Sequence, residues 1–208
     1  MHKIVLGTRN PGKIVEFRRI LAESGLAIEL VGTDGFPDLG DIPETGLTFA
    51  ENALLKARAV SAHTGLPAVA DDSGLCVDVL GGMPGIFSAR WSGRRGDDEA
   101  NLRLLLAQMA DVPGERRMAH FVCAAALVMP GDSEDVVEGR LDGTLIREPR
   151  GAGGFGYDPI FVPLGETRTT AEQSPAEKDA ISHRGRALRA LTPIIAKRVA
   201  WERTNDHP

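Results

Sequence analysis

Short apolar runs alternate along the chain with segments in which apolar residues recur at helical spacing. The apolar runs predict strands at residues 3–7, 28–31, 66–70, 120–129, 136–139, 144–146 and 157–162. The helical spacing predicts helices that begin near residues 10, 48, 97 and 181. Helices and strands alternate early, strands then cluster, and a helix closes the chain. This order predicts an α/β fold with a mixed sheet and leaves the order of the strands open.

Residue types at the predicted helix ends support these boundaries. Thr48 and Glu51 have the spacing of a capping box, and so do Ser174 and Glu177. Pro193 predicts a kink within the closing helix, because proline removes a backbone hydrogen bond.

Composition bounds the class of protein. The chain has 208 residues, of which 42% are hydrophobic and 25% charged, as in ordinary globular domains. We therefore interpret residues 1–203 as one domain, followed by a flexible tail at 204–208. Acidic residues number 29 against 24 basic, and this balance argues against nucleic acid as a partner.

Two further features concern the compartment. No stretch approaches the roughly 18 apolar residues that a membrane span needs, so no membrane partner is expected. Cys76 and Cys123 lie within apolar runs and are interpreted as buried thiols of a reducing compartment. The sequence therefore predicts a cytoplasmic protein.

The first segment with candidate chemistry is residues 8–13, between a predicted strand and a predicted helix. Asn10 suits the N-cap and Pro11 the first helical position. Helix N-termini bind phosphate well, because their N–H groups are unpaired and carry partial positive charge. Gly12 permits close approach and Lys13 adds a charge, although the spacing is not that of a Walker A loop. The alternative is an ordinary capped helix with a solvated lysine.

Two adjacent carboxylates follow the predicted strand at 66–70, in the sequence Asp71-Asp72-Ser73-Gly74. Carboxylates at the carboxyl end of a strand can hold Mg²⁺ or act as a base toward water. Because successive strand residues point in opposite directions, only one of the two is expected to face a site. The alternative is an Asp turn completed by glycine.

Glu44 and Lys56 lie before and within the helix that begins near residue 48. Glu44 is a candidate for a second metal oxygen and Lys56 for neutralising phosphate, and the alternative is a solvated surface pair. Glu51 is explained as the capping partner of Thr48. Asn52, four residues before Lys56, shares its helix face and has no assigned role.

Phe155 lies between glycines in residues 153–158. An aromatic ring exposed on such a loop can stack on a nucleotide base, which is worth about 1–3 kcal/mol. Asp158 is a candidate acceptor for base N–H groups. The alternative is a turn into a strand, with Phe155 packed beneath it.

A basic segment follows, with Lys178, His183, Arg184 and Arg186 within nine residues. Arginine can fork onto phosphate or a base carbonyl, and the alternative is a basic helix face. Residues 81–91 are a sixth candidate, for shaping a pocket or a subunit contact. An ordered loop is the favoured interpretation of that segment, except at Arg90.

In combination and in this order, the segments resemble the inosine triphosphate pyrophosphatase family, the pyrophosphatases of non-standard purine nucleoside triphosphates. The motifs that carry the resemblance are TRNPGK at 8–13, ETGLTFAENALLKA at 44–57, ADDSGL at 70–75, GGMPGIFSARW at 81–91, GGFGYDPIF at 153–161 and EKDAISHRGRAL at 177–188. The resemblance implies an elongated α/β fold with a long mixed sheet, helices and two lobes with the site in the cleft between them. It also implies a homodimer that uses Mg²⁺ to hydrolyse ITP, dITP and XTP to the monophosphate and pyrophosphate.

The resemblance implies roles for single residues. Asp72 matches the proton acceptor and, with Glu44, the metal ligands, while Lys13 and Lys56 match catalytic lysines. The matching substrate contacts are Thr8, Arg9, Asn10, Pro11, Gly12, Lys13, Ser73, Phe155, Gly156, Tyr157, Asp158, Lys178, His183 and Arg184. Trp91 stands where another aromatic residue is expected.

Selectivity between 6-oxo and 6-amino purines requires a donor facing O6. We hypothesise that His183 or Arg184 supplies this donor while Asp158 accepts from ring N–H, so that a 6-amino group leaves buried groups unpaired.

Three alternatives remain. The first is a pyrophosphatase of the septum-formation-protein type, with pyrimidine or modified-nucleotide preference. The second is a non-catalytic nucleotide-binding module, and the third is an unrelated phosphate-binding protein. Mg²⁺-dependent release of pyrophosphate separates the two pyrophosphatases from the other two.

Overall fold

The computed structural model describes residues 2–8, 11–131 and 133–205. The strands in these ranges are β1 (His2–Leu6), β2 (Ile28–Gly32), β3 (Ala68–Val77), β4 (Met118–Val128), β5 (Glu134–Leu145) and β6 (Phe161–Pro163). The α-helices are α1 (Pro11–Glu23), α2 (Phe49–Thr64), α3 (Asp98–Gln108), α4 (Pro175–Ile181) and α5 (His183–Asn205).

The six strands form one sheet in the order β2-β1-β3-β4-β5-β6. β1 pairs in parallel with β2 and β3, whereas β5 and β6 are antiparallel. The predicted α/β fold with a mixed sheet is therefore confirmed. β4, predicted from its apolar run, lies between β3 and β5 and is buried along most of its length.

The chain divides into two compact units. Unit 1 comprises Met1–Asp72, Cys123–Gly139 and Arg184–Pro208. Its main core joins α1 and α5 to β1 and β4, and Phe17 of α1 and Leu191 of α5 are fully buried there. The apolar positions of α1 recur at helical spacing because the helix buries one face.

Unit 2 comprises Ser73–Val122 and Arg140–His183. Its core packs Leu105 of α3 and Met109, the residue that follows this helix, against Leu75 of β3 and Phe161 of β6, and all four are fully buried. α3 is thereby a firmly packed element of this unit.

The predicted helix caps at Thr48 and Ser174 are present, whereas the predicted cap Asn10 lies outside the described residues. Thr48 caps α2 by accepting from Glu51 N, and Glu51 in turn accepts from Leu47 N. Ser174 and Glu177 form the reciprocal capping box at the start of α4. These side chains satisfy N–H groups that a helix start leaves unpaired.

The predicted end of the strand at residue 70 and the alternative of an Asp turn after it are wrong, because β3 continues through Asp71-Asp72-Ser73-Gly74 to Val77. Asp and Gly favour turns where their side chains bind nearby backbone, but here the aspartate side chains bind lysines.

Two strand boundaries were also wrong. Residues 134–145 form one strand, and a side chain at Gly143 would clash with the carbonyl oxygen of Val162, so this glycine permits close strand approach rather than a turn. Residues 158–160 form a 3-10 helix before the short β6.

The closing helix, α5, begins at His183 and not near residue 181. Ser182, with a ψ of 147°, is not helical and separates α5 from α4. α5 continues to Asn205, two residues into the predicted tail, and residues 206–208 lie outside the described part. Within the described residues, no helix is both long and apolar enough to cross a membrane.

Candidate active site

β3 carries Asp71 and Asp72 in its interior, with 6% and 9% of their surface exposed. Their side chains contact different partners within unit 1, as expected for successive residues of a strand. Asp71 meets Lys13 and Arg184, whereas Asp72 meets Lys56 and Asn52. The two carboxylates therefore occupy different electrostatic environments.

Asp71 is surrounded by cations. Lys13 Nζ donates to both of its oxygens at 2.9 and 2.8 Å, and Arg184 Nε donates to Oδ2 at 3.3 Å. Burial alone would raise the pKa of Asp71, but Lys13, Arg184 and Lys56 outweigh it and hold the pKa well below its usual range. Arg184 also lies 3.6 Å from Oε2 of Glu16. Asp71 is thus a buried acceptor for both Lys13 and Arg184, and its lowered pKa favours the charged form.

Asp72 has a different balance. Lys56 Nζ donates to Oδ1 at 3.0 Å and Asn52 Nδ2 donates to Oδ2 at 3.2 Å. Burial raises the pKa of Asp72, Glu44 adds to the rise, and Lys56 offsets only part of it. A carboxylate with a raised pKa is the better proton acceptor of the two.

Lys56 links two carboxylates, since its Nζ also donates to Glu44 Oε1 at 3.1 Å. Burial would lower the pKa of Lys56, but Asp72, Asp71 and Glu44 raise it. The ammonium group of Lys56 is therefore bound by carboxylate oxygens of both Glu44 and Asp72. In the part of the chain that the structure describes, no group of three or more His, Cys, Asp or Glu side chains is arranged to hold a metal ion. Two carboxylates nevertheless suit Mg²⁺, which takes its remaining oxygens from phosphates and water.

The sequence assigns no role to Asn52. The structure places it beside Asp72, which also binds Lys56. It is fully buried, donates to Asp72 and accepts from Gly46 N at 2.8 Å. Its spacing of four residues from Lys56 was the available signal, because that spacing puts both side chains on one face of α2.

The predicted phosphate loop is only partly described. Arg9 and Asn10 lie outside the described residues, as does the side chain of Pro11. The carbonyl of Thr8 accepts from Thr33 Oγ1 at 3.0 Å. Gly12 and Lys13 lie in the first turn of α1, as the motif predicts.

In unit 2, residues 153–158 form what we call the Phe155 loop. Phe155 is 57% exposed, so its ring is not packed beneath the loop. Lys178 Nζ lies 4.7 Å from the centroid of this ring, at cation–π distance. Ser73 is a further predicted substrate contact, in the part of β3 that belongs to unit 2, and it is half-buried.

Asp158 organises the Phe155 loop from within. It is buried, and it accepts from Phe155 N and from Thr170 Oγ1, both at 2.8 Å. It also pairs with Lys178. A side chain at Gly154, which has a positive φ of 72°, would clash with the Asp158 carboxylate. A base N–H would have to share Asp158 with these donors.

Three further predicted substrate contacts, Tyr157, Gly156 and His183, interact with other residues of the protein. Tyr157 is buried and its hydroxyl donates to the carbonyl of Ser88 at 2.9 Å. Gly156 N donates to Asp98 Oδ2 at 2.8 Å. His183 is buried and stacks on Phe121, with ring centroids 4.8 Å apart.

Residues 81–91 form an ordered segment that includes a 3-10 helix at Gly85–Arg90. The guanidinium of Arg90 lies 5.3 Å from the centroid of the Phe87 ring. Trp91 donates from Nε1 to Gln108 at 2.8 Å, so this aromatic residue is tied to α3.

This combination of a mixed α/β sheet, buried carboxylates paired with lysines and an exposed aromatic loop agrees with a class of nucleotide-binding enzymes. The chain belongs to the Ham1 family, which it matches over residues 4–194. It is 65% identical over 195 residues to a dITP/XTP pyrophosphatase of Streptomyces coelicolor, covering 94% of this chain and 98% of that protein. The resemblance inferred from the motifs is therefore confirmed.

Solved structures agree. A HAM1 protein from Coxiella burnetii has a TM-score of 0.87 at 41% identity, covering 95% of this chain and 100% of that one. A nucleoside-triphosphatase / dITP/XTP pyrophosphatase from Mycobacterium abscessus has a TM-score of 0.78 at 58% identity, covering 92% and 99%.

Proposed function

We propose that this protein hydrolyses non-standard purine nucleoside triphosphates (ITP, dITP and XTP) to the monophosphate and pyrophosphate, and so removes them from the nucleotide pool. The observation that carries the proposal is Asp72, a buried carboxylate of raised pKa between Lys56, Asn52 and the nearby Glu44. The high identity to a relative named dITP/XTP pyrophosphatase supports the choice of substrate.

In this proposal Asp72 accepts the proton of the attacking water. The water oxygen forms a bond to phosphorus, and its proton passes to Asp72. The bond between the nucleoside monophosphate and pyrophosphate breaks, and pyrophosphate leaves. Asn52 and Lys56 keep the Asp72 carboxylate oriented. Lys13 and Lys56 neutralise triphosphate oxygens, which lowers the charge that the leaving group must carry.

We further propose Mg²⁺ as the cofactor. Glu44 and Asp72 would hold it, because both already contact a cation and offer only oxygen ligands. Bound there, Mg²⁺ would supply charge stabilisation to the leaving pyrophosphate.

For the base, the proposal uses the Phe155 loop. Phe155 offers an exposed ring for stacking, and Lys178 offers an ammonium next to that ring as a donor for O6. His183 and Arg184 remain the donors for O6 that we hypothesised from the sequence.

The test is pyrophosphate release from ITP, dITP, XTP, ATP and GTP, with and without Mg²⁺, for wild type and Asp72→Asn. Mg²⁺-dependent turnover of ITP, dITP and XTP that is lost in the variant supports the proposal. If ATP and GTP were hydrolysed as fast as ITP, dITP and XTP, the protein would still be a nucleoside triphosphate hydrolase. Its proposed role in removing non-standard purine nucleotides would then be rejected. Binding without turnover would favour the non-catalytic module.

We also propose a homodimer in the cytoplasm. The dimer rests on the resemblance, and the compartment on two buried cysteines that form no disulfide, Cys76 and Cys123. Light scattering after size-exclusion chromatography would give the mass of the assembly, and a monomer at micromolar concentration would contradict the dimer.

A further inference from the structure

The backbone on both sides of Phe155 is held by carboxylates of unit 2. Phe155 N donates to Asp158 Oδ2, and the next amide, Gly156 N, donates to Asp98 Oδ2, each at 2.8 Å. The Phe155 ring is more than half exposed, so packing does little to fix it. These two amide contacts and Lys178 therefore contribute directly to its position.

Asp98 is not needed to cap its own helix. The N-cap of α3 is Asp97, which accepts from Ala100 N at 3.2 Å. Asp98, the first residue of α3, instead reaches across 58 positions of sequence to Gly156. α3 is a suitable support, because Leu102 and Leu105 are buried in the core of unit 2.

Side chains leave a space between the Phe155 loop and α3. A cavity of about 560 Å³ lies there, lined among others by Asp98, Leu102, Leu106, Phe155 and Pro159. The hydrogen bond from Gly156 to Asp98 crosses from the loop to the helix where side chains leave space.

We propose that Asp98 is a positioning residue for base recognition, which acts through the Gly156 N–H to hold Phe155 ready for stacking. The inference rests on the proposed function, because it assumes that a base stacks on Phe155. A loop that is already ordered costs less free energy to order on binding, so Asp98 lowers KM more than it raises kcat.

The first measurement is hydrogen–deuterium exchange of residues 153–157 in wild type, Asp98→Ala, Asp98→Asn and Asp97→Ala. Faster exchange at Gly156 is expected in Asp98→Ala, because its acceptor is lost. Asp98→Asn retains a carbonyl oxygen that accepts a hydrogen bond, so protection should return in part. Asp97→Ala is the matched control, since it removes a neighbouring carboxylate that caps α3 without contacting the loop.

The second measurement is steady-state hydrolysis of ITP by the same proteins. Asp98→Ala is expected to raise KM roughly three- to tenfold with kcat changed less than twofold. Asp98→Asn should fall between wild type and Asp98→Ala, and Asp97→Ala should keep the wild-type KM even where its unfolding temperature falls.

An unchanged KM in Asp98→Ala would overturn the inference, whatever the exchange shows. An equal rise in KM in Asp97→Ala would also overturn it, because a general weakening of α3 would then explain both. Failure of the proposed function would instead be visible in the wild type, as absent release of pyrophosphate from ITP.

Discussion

Asp71 and Asp72 are adjacent in β3, yet each is held by a different lysine. Lys13 donates to both oxygens of Asp71, and Lys56 donates to one oxygen of Asp72. Burial raises the pKa of each carboxyl, but the cations around Asp71 reverse this and those around Asp72 do not. The two residues are therefore expected to affect stability with opposite dependence on pH.

Asp71→Asn is expected to lower the free energy of unfolding at pH 7 by about 2–3 kcal/mol, because Lys13 and Arg184 lose a buried charged acceptor. The folded-state pKa of Asp71 lies below its unfolded value, so its stabilisation is complete above about pH 4 and is lost as the pH falls further. Urea unfolding between pH 7 and 3 should show the gap to wild type narrowing. A constant gap would contradict this reading.

Asp72→Asn is expected to lower turnover roughly 10²–10⁴-fold through loss of the proton acceptor. Its free energy of unfolding at pH 7 should stay unchanged or rise, because the folded-state pKa of Asp72 lies above its unfolded value and ionisation opposes folding. Relative to this variant, wild type should gain stability as the pH falls through that raised pKa. A large loss of stability in Asp72→Asn at pH 7 would show that the carboxylate is mainly structural.

Asn52→Ala is expected to lower kcat about tenfold, because Asp72 loses a donor that orients it. It should also destabilise the protein by about 1–3 kcal/mol, since the buried Asn52 side chain is lost and the partly buried Gly46 N loses its acceptor. Asn101→Ala is the matched control: Asn101 is also buried and accepts from Ser92 N at 2.7 Å. If both variants lose stability and kcat alike, the effect of Asn52 on kcat is not specific.

Arg117→Met should destabilise the protein by about 3 kcal/mol without changing KM. Arg117 is 2% exposed and donates to the carbonyls of Met109, Leu145 and Ile146, so the variant removes one donor from each of these carbonyls. The carbonyl of Met109 keeps a second donor, Val112 N. Arg147→Met serves as control, because Arg147 is exposed where it donates to backbone carbonyls and should cost less than about 1 kcal/mol. Chemical denaturation of both variants distinguishes them.

Phe155→Ala is expected to raise KM for ITP roughly tenfold, in line with base stacking worth about 1–3 kcal/mol. The unfolding temperature should change little, because the ring is largely exposed. Phe87→Ala removes another exposed ring that lies beneath a cation, Arg90, and should leave KM unchanged. A KM equal to wild type in Phe155→Ala would remove the stacking role.

Elements with a strong local signal were predictable from sequence. The apolar run of β4 marked a strand with strands on both sides, and the spacing of Ser174 and Glu177 marked the start of α4. Local preference failed where a distant partner changed its meaning. Asp71-Asp72-Ser73-Gly74 looks like a turn until Lys13 and Lys56 bind the aspartates and keep them within β3.

The candidate site shows the same limit. Residues that carry charge in known motifs, such as Lys56 and Asp72, could be proposed from type and spacing. Asn52 and Asp98 could not, because an Asn within a helix and an Asp at a helix start already have ordinary explanations. Their contacts with Asp72 and Gly156 arise only from tertiary folding, across 20 and 58 residues of sequence.

The glycines around Phe155 have a consequence for mutational tolerance. Gly151, Gly153 and Gly154 are exposed, yet a side chain at any of them would collide with the backbone of Ala171 or with the Asp158 carboxylate. In a saturation-mutagenesis experiment these positions should tolerate as little variation as buried ones. Solvent exposure alone would therefore be a poor guide to which substitutions this segment accepts.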